Sequence, residues 1–437
     1  MRELLTISQV NPFSDRSPSH SVTLSESKNM TKINVLHFAD IHIGMENYGH
    51  IDSNTGINSR VIDFLHRFDE VIAYGLSHEV DLVIFAGDAF KTRDPSPTLQ
   101  REFARRVKHL VDAAVPVVML VGNHDLPAME KKASSIDIYR TLGVSNVIVG
   151  WEEALHVIET KRGKVQVATA PYPMRQRLLA QAEHRGKSIE ELDKALQELV
   201  GDNIRALAEQ LDPEVPAILT GHFTVSGATY GSERSVMIGR DVAVLKSVLS
   251  DGPWDYVALG HIHKHQNLNE GRYPALVYSG SLERIDFGEE KEAKGFCWIE
   301  LEKGHTTWQF VEVKARPFVT INLDVREEND PTLAAQAALA QHDFTDAVVR
   351  VNVRMRPEQD ASLREKDLRA ALRDADYIAA INRQADREVR ERLGGLSPEG
   401  MTSKQLLEKY LFVKNVEDDR IELLVKHAEK IFEMTNE

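Results

Sequence analysis

Residues 33–42 read Ile33-Asn-Val-Leu-His-Phe-Ala-Asp-Ile-His42, a dense apolar run that ends on two metal-ligating side chains. The figure returns twice downstream, as Leu82-Val-Ile-Phe-Ala-Gly-Asp88 and Val117-Val-Met-Leu-Val-Gly-Asn-His-Asp125. Short apolar runs bounded by Gly and polar residues read as buried strands. Between them, Arg60–Ser77 and Thr98–Ala113 carry helical spacing. Strand, helix and strand in alternation argue for an α/β layered domain. Val165–Ala170, Ala217–Thr220 and Tyr256–Leu259 extend the series, and Leu276–Tyr278, Phe296–Leu301 and Thr307–Val313 suggest antiparallel additions to the sheets.

The chemistry-bearing residues fall where such a fold places its ligands. Asp40 and His42 follow the first strand, Asp88 the second, and Asn123, His124 and Asp125 the third. Further on, Thr220-Gly-His222 and Leu259-Gly-His-Ile-His263 repeat the arrangement. Ligand sites in open α/β sheets lie beyond the carboxyl ends of strands. One such coincidence is ordinary, because a lone Gly-Asp is usually a turn and a lone His usually a core residue. Five in one chain are not. Two divalent cations roughly 3.5–4 Å apart can stabilise both the attacking and the leaving oxygen of a phosphoryl transfer. A shared carboxylate offsets their repulsion, while imidazoles and an Asn carbonyl complete the coordination without adding charge.

Composition narrows the class. The chain has 437 residues, 42% of them hydrophobic and 27% charged, a globular profile with room for several domains. Lys and Arg total 53 against 67 Asp and Glu, so the net charge of −14 excludes a generally basic nucleic-acid coat. A local basic groove remains compatible with it. A single Cys, Cys297, excludes an intrachain disulfide and fits a reducing, cytoplasmic compartment. With 17 His to one Cys, the metal chemistry belongs to His, Asp and Asn, not to a thiolate finger. No apolar run reaches the roughly 18–20 residues of a membrane helix.

Four regions are expected. Residues 1–31 read as a disordered tail, and 32–316 as the domain bearing the ligands. Residues 317–386 read as a small β-α-β-α-β unit, and 387–437 as a charged, Gly-containing connector with two helices. In the last helix Ile421, Leu424, Val425, Ala428, Ile431 and Phe432 form one apolar face. Arg350, Arg354 and Arg356 alternate along one expected strand and suggest a phosphate-contact surface. Tyr230, in a Gly-flanked loop soon after His222, is open to either substrate contact or packing.

Asp-x-His, Gly-Asp, Gly-Asn-His-Asp, Gly-His and Gly-His-x-His, in that order, resemble the blocks of the calcineurin-like metallophosphoesterases. Within them, the chain is similar to the SbcD-type DNA double-strand-break repair nucleases. That finer likeness rests on His37-Phe-Ala-Asp-Ile-His-Ile-Gly44, on Gly87-Asp-Ala-Phe90 with Pro95 and Pro97, and on Ser279-Gly-Ser-Leu-Glu-Arg-Ile-Asp-Phe-Gly288 continuing to Lys294-Gly-Phe296. The resemblance implies a layered β-sandwich flanked by helices, with a small α+β capping domain over the site. It implies two Mn²⁺ ions, one on Asp40, His42, Asp88 and His263, the other on Asp88, Asn123, His222 and His261. His124 is then the catalytic histidine, with Asp125 orienting it. It further implies a double-strand 3′→5′ exonuclease and single-strand endonuclease. Such a protein works as a homodimer with an SMC-like ATPase of the SbcC type, cytoplasmic and nucleoid-associated, with no membrane contact. Leu424 and Ile431 would meet the ATPase. Where some relatives carry a second histidine, this chain has Lys91, which binds phosphate as a point charge but is a poor proton shuttle at neutral pH. His50 and His66 stand as alternatives for that role. A small-molecule phosphodiesterase or phosphatase on the same fold is the competing reading.

Overall fold

A computed structural model of the chain describes residues 32–127, 132–174, 186–231, 241–385, 402–414 and 416–434. The expected disordered tail and the connector after residue 386 lie outside the described residues.

Two six-stranded sheets carry the molecule. The first runs, in spatial order, Thr307–Glu312, Gly295–Leu301, Ile33–Phe38, Leu82–Phe85, Val117–Leu120 and Val147–Gly150. The second runs Gln266–Asn267, Leu276–Tyr278, Tyr256–Gly260, Ala217–His222, Gly163–Ala170 and Ala154–Thr160. Central strands such as Leu82–Phe85 and Val117–Leu120 are buried at every position, as strands covered on both faces must be. Val35, Ile84, Val118, Val167, Ile218, Ala258 and Ile299 interdigitate between the two sheets. On the outer face of the first sheet, Leu36, Phe38, Phe85 and Met119 pack beneath helices Ser59–Ser77 and Pro97–Asp112. Helix Ile189–Ala208 covers the second sheet through Val200, Ile204 and Leu207. The result is a helix–sheet–sheet–helix sandwich, the α/β class expected.

Local signals start the helices. Asn58 accepts a hydrogen bond from the Arg60 amide, Ser96 precedes Pro97 at the first helical position, and Ser188 and Glu191 form a reciprocal capping box. The long helix Ile189–Ala208 and the strands Val147–Gly150 and Ala154–Thr160 were not among the expected elements. One expectation is corrected. Leu276–Tyr278 pairs antiparallel with Gln266–Asn267 on one edge, as expected, but parallel with Tyr256–Gly260 on the other, because the Gln266–Pro274 excursion returns the chain in the same direction. Gly295–Leu301 and Thr307–Glu312 are antiparallel additions.

Beyond Arg316, strands Phe318–Asp324, Val348–Met355 and Tyr377–Ala385 form a parallel sheet. Helices Pro331–Leu339 and Glu365–Ala371 cover one face through Ala335, Leu339, Leu368 and Leu372, over Val349, Val351 and Val353. This unit has its own core and meets the sandwich through Tyr48, Phe287 and Phe318, whose rings pack edge to face. Helices Ser403–Val413 and Asp418–Met434 pack on each other, tied by Lys404 to Glu429 at 2.7 Å. No described helix is long and apolar enough to cross a membrane.

Candidate dimetal centre

The loops after the central strands of both sheets converge on one buried cluster. Asp40 and His42 leave Ile33–Phe38, Asp88 leaves Leu82–Phe85, and Asn123 and His124 leave Val117–Leu120. From the second sheet come His222, at the end of its strand, and His261 and His263 just past theirs. Asp40, His42, Asp88 and His261 all have positive φ, at 52°, 48°, 62° and 98°. Non-glycine residues rarely adopt that region, and clusters of them mark functional sites. Asp40, His42, Asp88, His222 and His261 are nearly inaccessible, and His263 is buried as well.

Three overlapping groups place their donor atoms within 4.8 Å of one another: Asp40, His42 and His263; Asp40, Asp88 and His222; and His42, Asp88 and His124. Asn123 and His261 close the far side. Asn123 Oδ1 lies 3.1 Å from His222 Nε2 and 2.9 Å from His261 Nδ1, and His222 Nε2 lies 3.3 Å from Asp88 Oδ2.

Outer partners fix how the rings point. His222 Nδ1 donates to the Ala86 carbonyl at 2.6 Å, so its Nε2 lone pair faces Asp88 and Asn123. His263 Nδ1 donates to Glu289 Oε1 at 3.0 Å, so its Nε2 faces inward, 3.0 Å from His42 Nε2. His261 Nε2 donates to Asp241 Oδ2 at 2.9 Å, leaving Nδ1 bare against Asn123 Oδ1. His42 Nε2 can donate to His263 Nε2, but with neutral rings the His222 and His261 nitrogens that face Asn123 Oδ1 have no proton left to give, so a proton or a metal must stand there, and the donor set fits a metal pair. Burial would lower His222, but Asp88 and Asp40 outweigh it and push the ring up to about 9, so its Nε2 carries a proton where a metal would displace it, and burial raises the Asp40 carboxyl. Burial and the neighbouring His124 lower His42 well below the usual imidazole range, which keeps it neutral, as a ligand must be. Burial would raise Asp88, but His222 and His124 outweigh it and hold the carboxylate below its ordinary range.

All seven expected ligands come together here, and His124 stands beside them. Its ring meets His42 edge to face at 4.8 Å between centroids, its amide donates to Asp88 Oδ1 at 2.8 Å, and its Nδ1 donates to the Lys91 carbonyl at 2.7 Å. That last bond corrects the role expected of Asp125. Asp125 does not orient His124. It accepts from the amides of Asp88 (2.8 Å), Ala89 (3.1 Å) and Gly122 (3.1 Å), and from Ser135 Oγ (3.1 Å). It therefore ties the Asp88 loop to the Gly122 loop, while the Lys91 backbone orients His124.

The expected DNA contacts are more scattered. Arg350 lies over the Phe287 ring at 4.2 Å and donates to Thr320 Oγ1 at 3.0 Å. Arg354 shares its strand face and is exposed. Arg356 lies past the strand end and pairs with Glu358, so it does not continue that face as expected. Tyr230 donates to Thr224 Oγ1 at 3.5 Å, a packing role. Leu424 is 40% exposed, and the side chain of Ile431 lies outside the described residues.

Two supporting carboxylates escaped the sequence reading. Glu289, one residue past the Ser279–Gly288 block, accepts from His263 and pairs with the fully buried Lys294 at 2.9 Å. Its signal was available, because that block continues to Lys294. Asp241 stands in no motif and had none.

The geometry gathers candidate ligands for a dimetal centre in a buried cluster between two stacked sheets. The chain belongs to the calcineurin-like phosphoesterase family, whose model matches residues 33–265. Among curated proteins, it is 28% identical over 286 residues to the SbcD subunit of the nuclease SbcCD from Bacillus subtilis (strain 168), covering 63% of this chain and 68% of that one. Among solved structures, TT1561 of Thermus thermophilus is 12% identical with a TM-score of 0.37, over 64% of this chain and 99% of that one. A dimetal phosphatase from Danio rerio is 10% identical with a TM-score of 0.37, over 64% and 96%. Purple acid phosphatase PPD1 from yellow lupin seeds is 11% identical with the same score, over 64% and 51%.

Proposed function

We propose that this chain is the nuclease subunit of a DNA double-strand-break repair complex, a Mn²⁺-dependent double-strand 3′→5′ exonuclease and single-strand endonuclease. The observation that carries the hydrolytic part is the buried convergence of His and Asp donor atoms around Asp88. The likeness to the SbcD protein of B. subtilis carries the choice of DNA. Asp40, His42, Asp88 and His263 would hold one cation, and Asp88, Asn123, His222 and His261 the other. The pair would supply Lewis acidity and positive charge for in-line attack by water on the phosphodiester. His124, oriented by the Lys91 carbonyl, presents its Nε2 to the scissile phosphate and assists the leaving oxygen. Lys91 itself offers a cation for phosphate. The 317–386 unit would cap the site and bring Arg350 and Arg354 to the DNA.

Under this reading, the exposed Phe412, Leu423 and Leu424 are covered by an SMC-like ATPase of the SbcC type. The working form is a homodimer in the cytoplasm, associated with the nucleoid. The deciding experiment supplies end-labelled duplex DNA, single-stranded circles and bis-p-nitrophenyl phosphate, with Mn²⁺ or Mg²⁺. Efficient degradation of DNA with Mn²⁺ is expected. Hydrolysis confined to the small ester would favour the competing reading, a small-molecule phosphodiesterase that the same donors would serve.

A further inference from the structure

A neutral imidazole has one N–H, so a ring can offer a lone pair inward only if its other nitrogen carries the proton outward. His222, His263 and His124 each donate Nδ1–H to an outer acceptor and so present Nε2. His261 is reversed: Nδ1 faces Asn123 Oδ1 at 2.9 Å and Nε2 faces Asp241 Oδ2 at 2.9 Å. An ionised carboxylate can only accept.

Asp241 is itself held. Thr224 Oγ1 donates to Oδ2, and Tyr230 donates to Thr224 in turn. The Val242 amide donates to Oδ1 at 3.0 Å and the Tyr172 hydroxyl does so at 3.4 Å. Every hydrogen bond to the carboxylate thus comes from a donor, and the oxygen facing His261 has a fixed place.

We propose that Asp241 is a positioning residue that sets the tautomer of His261, making Nδ1 the donor to the second cation. This rests on the two-cation reading above.

The isosteric Asp241→Asn variant separates this from packing. Val242 N–H and Tyr172 O–H keep an oxygen at the Oδ1 place, which turns the new amide NH₂ toward His261 Nε2 and Thr224 Oγ1. Nε2 must then accept, and the ring proton moves to Nδ1, aimed into the cation position. Asp241→Ala removes the acceptor but imposes no tautomer.

The test titrates Mn²⁺ alone into cation-free full-length protein by calorimetry. It also reads the His261 tautomer from long-range ¹H–¹⁵N spectra of histidine-labelled protein. Wild type should bind two equivalents and show Nε2–H. Asp241→Asn should bind one and show Nδ1–H. Asp241→Ala should keep two, the weaker one loosened about 10–100-fold. If the Asn variant does not fold, Asp241→Ala carries the test: two equivalents at wild-type affinity with His261 still wholly Nε2–H there would overturn the proposal. Two equivalents at wild-type affinity in Asp241→Asn, an unchanged tautomer, or a greater loss in Asp241→Ala than in Asp241→Asn would each overturn it as well. Fewer than two equivalents in wild type would instead sink the two-cation reading.

Discussion

Asp88 is the residue on which most of the site depends. It stands at positive φ, reaches both halves of the cluster, and accepts the His124 amide at 2.8 Å. Asp88→Ala should leave less than one tightly held cation per chain, measured by ICP-MS after dialysis, because Asp88 is the one side chain assigned to both cations and each would lose an anionic ligand. Gly122 is the hidden requirement behind it. A Cβ there would lie 2.1 Å from Asp88 Oδ1 and 2.6 Å from Asp88 N, so Gly122→Ala must displace the carboxylate. We expect it to lose metal almost as completely as Asp88→Ala while staying folded. His124 differs in kind. His124→Ala should retain both cations and DNA affinity and lower turnover by about 10²–10⁴-fold, the usual share of a general acid. Loss of a cation in that variant would make His124 a ligand.

At the scale of elements, the segment from Ser279 to Lys294 buttresses one side of the centre. Lys294 is fully buried, and its ammonium donates to Glu289 Oε2 (2.9 Å), Ser281 Oγ (3.0 Å) and the His263 carbonyl (3.2 Å). Burial would raise the Glu289 carboxyl, but Lys294 and His263 hold it below the usual carboxylate range. Lys294→Met leaves that carboxylate to the His263 ring and the Ile285 amide, and losing the charged partner of a buried pair costs about 3–5 kcal/mol. Urea denaturation should show the lowered stability. Glu289→Ala should instead weaken the cation at His263 about 10–100-fold, read by Mn²⁺ titration. On the C-terminal helices, Phe412 is 64% and Leu424 40% exposed, so Phe412→Glu with Leu424→Glu should leave a folded enzyme with basal activity. Under the proposed partnership, co-purification with an SMC-like ATPase should be lost. A double variant that unfolds would place these side chains against their own chain.

Across the whole molecule, one arginine joins the small sheet unit to the sandwich. Arg316 grips Asp63 through Nε (2.5 Å) and Nη2 (2.6 Å) and donates to the Asp346 carbonyl at 2.7 Å. Arg60 shares Asp63 at 2.6 Å, and the Arg316 amide donates to Glu283 at 3.0 Å. This network sets the angle at which the sheet carrying Arg350 and Arg354 meets the dimetal centre. Arg316→Met should free that angle, so protease cleavage near residue 316 should accelerate while hydrolysis of bis-p-nitrophenyl phosphate changes little. If cutting is unchanged, the aromatic contacts of Tyr48, Phe287 and Phe318 suffice to hold the joint.

By itself, the sequence determined the buried strands and showed the candidate ligands that follow them. Ile33–Phe38 and Val117–Leu120 are apolar enough to be buried on both faces, and a strand buried that way delivers whatever follows it to one edge of the sheet. Asp40, Asp88, Asn123, His222, His261 and His263 were legible for that reason. Helices Ser59–Ser77 and Pro97–Asp112 were legible as well, since helical spacing is a local pattern, but the capped helix Ile189–Ala208 was not read from it. Tertiary structure alone decided the partners. Asp125 is the next residue after His124 and Lys91 stands 33 residues before it, yet geometry gave the His124 ring to the Lys91 carbonyl and Asp125 to the backbone of two loops. Asp241 lies 20 residues before His261 with no motif around it, and acquires meaning only where folding brings its carboxylate against Nε2. Ligands repeat because strand ends are periodic features of a chain. The acceptors behind them need only arrive at the right distance, and no spacing in the sequence records that.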